Sequence, residues 1–167
     1  MNDVVNVEAA LAVLKGAPTL GDIFQLQKML EASATHDFSG GLKHTFSEGA
    51  VARELLLPAG SLVVGKVHRF GHLNIVSRGR VTVWTTDGRH DIDATQHPVT
   101  FVSTPGTKRV VYTHETAVWT VIHLTSETDI ARLEAEEIVP EAEFKSLIDS
   151  IPKEILGQIN IQALTGE

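Results

Sequence analysis

The stretch GSLVVGKVHRFGHLNIVSRG, residues 60–79, decides the fold of this chain of 167 residues. It begins and ends with glycine and contains two runs rich in Val, Leu and Ile, which is the composition of short β-strands. The connection between the two runs carries His68 and His72. We interpret the stretch as two strands whose tight connection forms half of a pocket for a ligand or a metal ion.

Similar runs continue on both sides of this stretch, from Leu42 to Leu124. They are rich in Val, Thr and Ile and are separated by turn residues, and Asp87-Gly88 is a strong signal for a two-residue hairpin. Many short strands at near-regular spacing predict a mainly β fold, an antiparallel sandwich or barrel, rather than alternating strands and helices. The predicted strands are 42–46, 50–57, 61–68, 72–78, 80–86, 89–93, 98–103, 107–113 and 116–124.

Helical periodicity replaces this pattern at the N-terminal end of the chain. A short helix is predicted over residues 6–15, and a second over residues 19–33. The apolar stripe of the second helix either packs on the β domain, which we favour, or binds a partner protein. The predicted organisation has three parts: an N-terminal helical extension (1–41), a β-barrel (42–125) and a C-terminal helical extension (126–167).

The C-terminal extension is rich in acidic residues. One helix is predicted before Pro140, capped by Ser126 or Thr128, and another over residues 141–151. An amphipathic tail over residues 153–167 follows. We interpret the acidic side chains as a face exposed to solvent rather than as a cation site. These side chains belong to Glu134, Glu136, Glu137, Glu141 and Glu143.

Composition excludes several classes of function. The formal net charge of −7 argues against non-specific binding to nucleic acid, which needs a basic surface. No apolar run reaches the ~20 residues that span a bilayer, so no membrane segment is expected. The absence of cysteine excludes disulfides and thiolate ligands, and the cytoplasm is the default location. The eight histidines are therefore the best candidates for chemistry.

Two short motifs resemble those of the cupin superfamily. The first cupin motif reads glycine, five residues, His-x-His, three or four residues, glutamate, six residues, glycine. Between Gly60 and Gly79 this chain has Lys66 at the first histidine position, His68 at the second and His72 at the glutamate position. Residues 104–109, TPGTKR, resemble the second motif, with Arg109 at its histidine position. The resemblance implies an antiparallel jelly-roll barrel of the RmlC-like type.

A more specific likeness covers most of residues 44–125. Four phrases, HTFSEGAVARELLLPAGSLVVGKVH, HLNIVSRG, PVTFVSTPGTKRVVY and AVWTVIHLT, look like small cupin-like proteins encoded by tailed bacteriophages and their prophages. This resemblance implies a viral origin, and with it a location in the host cytoplasm or in the virion. Because cupins commonly form oligomers, it also implies a homo-oligomer.

The jelly-roll resemblance also predicts which histidines meet. It places the last strand antiparallel beside the strand that starts at His72, so His123 is expected near His72 and His68. Three imidazoles at one mouth of a barrel are a reasonable site for Zn²⁺, Ni²⁺ or Fe²⁺ with an open coordination position. Two alternatives remain open. The histidines could hydrogen-bond one another or nearby carbonyls without a metal, or Lys66, His68 and Arg109 could bind a small anion.

Three functions follow as hypotheses. The first is a phage-type cupin whose histidine-lined pocket binds a divalent metal or a small anionic ligand, with catalytic use left open. The second is a virion structural or assembly protein, a decoration or tail-associated scaffold that contacts other phage structural proteins. The third is an intracellular effector that binds a host protein or a small signalling molecule.

Overall fold

The computed structural model describes residues 7–14, 16–32 and 39–149 of the chain, so the predicted tail over 153–167 lies outside the described residues. The N-terminal part contains helices α1 (Val7–Val13) and α2 (Leu20–Ala32), and the C-terminal part contains α3 (Ile130–Glu137) and α4 (Glu141–Asp149). Between them lie β1 (Leu42–Ser47), β2 (Ala50–Leu57), β3 (Leu62–Val64), β4 (His72–Arg78), β5 (Arg80–Thr85), β6 (Gly88–Asp93), β7 (Val99–Ser103), β8 (Val110–Thr113) and β9 (Ala117–His123).

The strands form two antiparallel sheets. One has the order β1-β2-β9-β4-β7 and the other the order β3-β8-β5-β6. Without the edge strand β1, this is the strand order of a jelly roll, in which eight strands form two four-stranded sheets through Greek-key connections. The prediction of a mainly β, antiparallel fold is therefore confirmed. Within the described residues no strand pair joins the two sheets, so the fold is a sandwich of two sheets and no closed barrel is observed.

The core lies between the two sheets, because alternate residues of each strand point inward. Strand β4 shows the alternation clearly, with His72, Asn74 and Val76 buried and Leu73 exposed. Apolar side chains from both sheets fill the space: Leu57, Val76, Val81, Val83, Ala94, Val111, Ala117 and Trp119. The polar residues of β4 therefore occupy inward positions, at the end of the core where the strand begins.

The N-terminal helices cover the other face of the four-stranded sheet. Ala10 of α1, Leu14 just after it, and Ile23 and Leu26 of α2 are fully buried against Trp84 and Val110. The apolar stripe of α2 thus packs on the β domain. No helix within the described ranges is long and apolar enough to cross a membrane.

Gly79, the last residue of the stretch that opened the sequence analysis, closes a tight turn between β4 and β5. Its φ is +89°, in the region that favours glycine. A Cβ atom built on it would lie 2.5 Å from the carbonyl oxygen of Thr116. The turn therefore requires glycine for two reasons, its backbone conformation and the close approach of the neighbouring strand.

The C-terminal extension differs from the prediction at its first helix. Asp129, rather than Ser126 or Thr128, is the N-cap, and its side chain accepts a hydrogen bond of 3.0 Å from the backbone N–H of Arg132. The helix begins later because Glu127 Oε1 accepts hydrogen bonds from the N–H groups of Thr128 and Asp129, which holds the preceding residues in a turn.

Strand β3 is shorter than predicted, ending at Val64 instead of residue 68. The reason is a long-range pairing. The backbone N–H of Arg69 donates to the carbonyl of Glu137 (2.8 Å), and the N–H of Val139 donates to the carbonyl of Val67 (3.0 Å). Residues 67–69 therefore leave the sheet and pair with residues 137–139, with His68 opposite Ile138 in an antiparallel bridge.

Candidate metal centre

Three imidazole rings meet where β4 begins and β9 ends. The centroids of His68 and His72 are 4.3 Å apart, those of His68 and His123 5.1 Å, and those of His72 and His123 5.2 Å. The antiparallel register of β4 and β9, which pairs Leu73 with Ile122, brings His72 and His123 side by side on the inner face. His68 reaches them from the connection before β4.

Each ring buries one nitrogen that has no hydrogen-bond partner. These atoms are Nδ1 of His68, Nε2 of His72 and Nε2 of His123. Leaving a buried polar atom without a partner costs about 1–3 kcal/mol, so three such atoms at one point call for an explanation. Each ring offers a ligand atom, and these atoms all lie within 4.8 Å of one another.

The other nitrogen of His72 sets the proton position on that ring. Nδ1 of His72 lies 3.2 Å from the backbone carbonyl oxygen of Phe70. Because a carbonyl only accepts, Nδ1 carries the hydrogen, and Nε2 of the neutral ring is left with a free lone pair facing the cluster. A nitrogen in this state is suited to a metal ion.

The three rings are uncharged at neutral pH. Burial lowers the pKa of His68 to about 2, with further lowering by the neighbouring His72 and His123. Burial also lowers the pKa of His123 to about 4 and lowers the pKa of His72. Neutral imidazoles do not repel one another and present lone pairs, which is the state that metal ligands need.

The donor set fits a divalent ion with open positions. Nitrogens that share one zinc ion tetrahedrally through bonds of about 2.1 Å lie about 3.4 Å apart, so the three rings would turn toward one another to bind it. In the alternative without a metal, the rings would hydrogen-bond one another. The buried nitrogens have no such partner, so this alternative does not account for them.

Arg109 is a buried cation close to the histidines. It is only 8% exposed, and its NH1 and NH2 groups donate to Asn74 Oδ1 (3.2 Å) and to Ser103 Oγ. Its guanidinium also lies over the Trp119 ring, 5.7 Å from the centroid. Burial lowers the Arg109 pKa to about 10, so the group keeps its charge at neutral pH. Within residues 39–149 and the described helices, no carboxylate lies within ion-pairing distance of it.

Lys66, which the sequence analysis grouped with Arg109 as an anion ligand, differs from Arg109 in burial and in its partner. Its side chain is 64% exposed, and Nζ is 3.5 Å from Glu134 Oε2. The same glutamate accepts a 2.6 Å hydrogen bond from Arg53, a residue that the sequence analysis did not single out. Burial acts to raise the Glu134 pKa, but Arg53 and Lys66 outweigh it, so the carboxylate stays ionised. Glu134 thus pairs with two cations, Arg53 and Lys66.

The acidic run of the C-terminal extension is only partly a solvent-exposed face, which corrects the prediction for three of its members, among them Glu141, which is half-buried and pairs with Lys145. Glu137 is 4% exposed, and its Oε2 lies 2.8 Å from Nδ1 of His123, at an angle outside that of an ordinary hydrogen bond. Glu134 is half-buried in its ion pairs. The sequence signal for this arrangement was Ile138-Val139 before Pro140, since β-branched residues before proline favour extended backbone.

Of the known proteins compared with this chain, only solved structures are similar to it. No protein-family model and no curated protein matches the sequence. The structure is similar to KdgF from Halomonas sp., with 15% identity and a TM-score of 0.44, covering 57% of this chain and 88% of that one.

Two further similar structures come from Shewanella frigidimarina. A cupin-2 domain containing protein has 13% identity and a TM-score of 0.42, covering 60% of this chain and 91% of its own. An RmlC-like cupin has 18% identity and a TM-score of 0.43, covering 56% and 85%. The fold of this chain is assigned from its own strand order, and its structural neighbours are cupins and RmlC-like proteins.

Proposed function

We propose that this chain is a small phage-type cupin that binds one divalent ion, Zn²⁺, Ni²⁺ or Fe²⁺, through His68, His72 and His123. The observation that carries the proposal is the convergence of three buried, unpartnered ring nitrogens. Three neutral imidazoles make a common donor set for these ions and leave further coordination positions open. When bound, such an ion polarises a ligand or lowers the pKa of a bound water.

Arg109 supports a negatively charged ligand in the same pocket. A buried guanidinium without a carboxylate partner is costly, and an anion beside the histidines would offset that cost. Asn74 and Ser103 hold the guanidinium in place through their side-chain oxygens. In this proposal the ligand is a small anion. Arg109 balances the charge of the anion, and the three histidines hold the metal ion beside it.

The test of the metal site is the metal content of protein purified without an affinity tag. About one equivalent of a divalent metal per chain is expected, and His68→Ala or His72→Ala should reduce it to a small fraction. His90→Ala is the matched control, because His90 is exposed on β6, away from the cluster. A metal content near zero that none of the substitutions changes would rule the site out.

The anion is tested separately, with azide as the probe and cobalt in the site. Azide should alter the absorption spectrum of the cobalt-loaded protein, and Arg109→Met should weaken its binding at least about tenfold, or about 1.4 kcal/mol. Arg78→Met is the control, because Arg78 is exposed at the end of β4. Equal azide affinity in all three proteins would remove Arg109 from the ligand site.

One surface feature favours a second function, that of a scaffold in a phage particle. Val102 and Leu73 are 66% and 44% exposed, and Leu73 pairs in register with both Val102 and Ile122. An apolar stripe of this kind, across three neighbouring strands, suits association with further copies of the chain. Mass spectrometry of purified particles tests this role, and absence from virions would leave the host cytoplasm as the location.

A further inference from the structure

The C-terminal extension reaches the histidine cluster through one short segment, residues 137–139, which we call the strap. Its backbone is hydrogen-bonded on both sides of His68, to Val67 and to Arg69. The position of His68 therefore depends on a segment that lies far from it in the chain. The carbonyl of His68 also accepts a hydrogen bond of 2.9 Å from the N–H of Gly106, so the strap holds one side of residues 67–69 and the loop before β8 the other.

The same segment reaches a second histidine through a side chain. Glu137 Oε2 lies 2.8 Å from Nδ1 of His123, and both residues are almost fully buried, with 4% and 2% exposed. Nδ1 is the ring nitrogen that faces away from the cluster, because Nε2 of His123 is the buried atom without a partner. The strap therefore contacts two of the three histidines, one through its backbone and one through a carboxylate.

The strap is fixed at both ends. On its N-terminal side, Leu133 is fully buried and Glu134 pairs with Arg53. On its C-terminal side, Phe144 packs in a buried cluster with Val67 and Leu20. These contacts hold Glu137 against His123 even though a buried carboxylate oxygen with no hydrogen bond, here Oε2, is costly in itself.

We propose that Glu137 is a positioning residue for metal binding, which orients His123 so that its Nε2 faces His68 and His72. The inference rests on the proposed metal site. A carboxylate on the far nitrogen of a ligating histidine fixes the proton on that nitrogen, directs the ring and makes it a stronger donor. The positive charge that an ion places on the ring would in turn stabilise the buried carboxylate. The C-terminal extension thus supplies a part of the centre that the two-sheet domain lacks.

The test compares the affinity of the full-length protein for Co²⁺, measured against a competing chelator, in the wild type and in Glu137→Gln. The substitution keeps the size of the side chain and removes its charge. We expect the affinity to fall 10- to 100-fold, which is the usual effect of removing such a partner, and the cobalt absorption bands to shift as the ring is released. Glu136→Gln, an exposed neighbour on the same helix, should change neither.

The metal-free protein separates positioning from a merely structural role. Removing a buried charge should leave the thermal midpoint of the metal-free Glu137→Gln protein unchanged or higher, whereas a structural role predicts a lower midpoint. Unchanged cobalt affinity and spectrum in Glu137→Gln would overturn the inference. Absence of cobalt binding in the wild type as well would instead overturn the proposed metal site.

A second variant decides the matter if Glu137→Gln does not fold. Glu137→Asp keeps the carboxylate on a side chain that is one methylene shorter. Retention of most of the wild-type affinity in this variant supports positioning by charge. A loss above about 100-fold in the folded Asp variant would exceed the effect of removing such a partner and would contradict a positioning role.

Discussion

At the scale of single residues, the buried histidines determine how the metal-free protein responds to acid. Their ordinary pKa is 6.5, whereas burial lowers that of His68 to about 2 and that of His123 to about 4. As the pH falls below 6.5, the unfolded chain binds protons that the folded chain does not, so the free energy of unfolding must fall. The loss from His123 is complete near pH 4, and that from His68 continues toward pH 2.

We therefore expect the free energy of unfolding of the metal-free protein to fall by about 2 kcal/mol for each of His68 and His123 between about pH 6.5 and pH 5, at about 1.4 kcal/mol per pH unit. Glu137, whose pKa burial raises, offsets part of this loss. Urea unfolding with a chelator present, at several pH values, measures the slope. His68→Leu should flatten it and His90→Leu should not. A free energy of unfolding that is equal at pH 7 and pH 5 would contradict the prediction.

The sequence could name the three histidines but not the residues around them. The resemblance to the first cupin motif singles out His68 and His72. The strand order of a jelly roll then places His123 near them. Lys66 and Arg109 looked equivalent as cations, yet one is exposed and the other buried. Which face of a strand or turn a side chain takes depends on the register, and a shift of one residue reverses it.

At the scale of elements, Gly60 and Gly79 at the two ends of residues 60–79 both have positive φ, but they differ in how closely other atoms approach them. Gly60 has a φ of +79°, and no atom lies within 4 Å of a Cβ built on it. A Cβ built on Gly79 would instead lie 2.5 Å from the carbonyl oxygen of Thr116. Gly60→Ala should therefore cost only the backbone conformation, about 1–2 kcal/mol.

Gly79→Ala should cost more than Gly60→Ala, by at least about 1–2 kcal/mol, because β9 must also move away from the turn. Urea unfolding at neutral pH, followed by the fluorescence of Trp84 and Trp119, gives both values. Gly60→Ala serves as the matched control for the left-handed conformation alone. An equal loss in the free energy of unfolding for the two variants would show that the close approach of Thr116 to Gly79 does not affect stability.

Local patterns predicted nearly every strand and helix of the described chain, and failed where a distant segment decided the structure. Strand β3 ends early because residues 67–69 pair with residues 137–139. No periodicity within either segment could reveal the other. The same pairing draws Glu137 inward, which is why an acidic run that looked exposed contains a buried carboxylate.

At the scale of the whole molecule, we expect copies of the chain to associate through the apolar stripe on the outer face of the five-stranded sheet. We expect the protein to form a homo-oligomer in which a second copy covers Val102 and Leu73. Val102→Glu should then convert the oligomer into a monomer, because a charge cannot be buried there without a partner. Light scattering coupled to gel filtration measures the mass, with His90→Glu on β6 as the control. A monomeric wild type, or an oligomer that Val102→Glu leaves intact, would contradict this.

The architecture of the whole molecule was easier to predict than its site. Short strands and turn signals predict an antiparallel sandwich or barrel, because each strand can be recognised from a few residues, and the resemblance to the cupin motifs implies the jelly roll. The site instead combines residues of β4, β9, the connection before β4 and the strap after α3. The geometry of the site forms only when these four segments have come together in the folded protein.

The strap also sets the order in which the centre can be completed during synthesis. Val67 and Val139 are some seventy positions apart, so this contact closes a long loop and forms late in folding. A chain still on the ribosome exposes His68 and His72 long before Glu137 has been made. The strap must therefore be synthesised before the cluster can reach its final geometry, and in the described chain only α4 follows it.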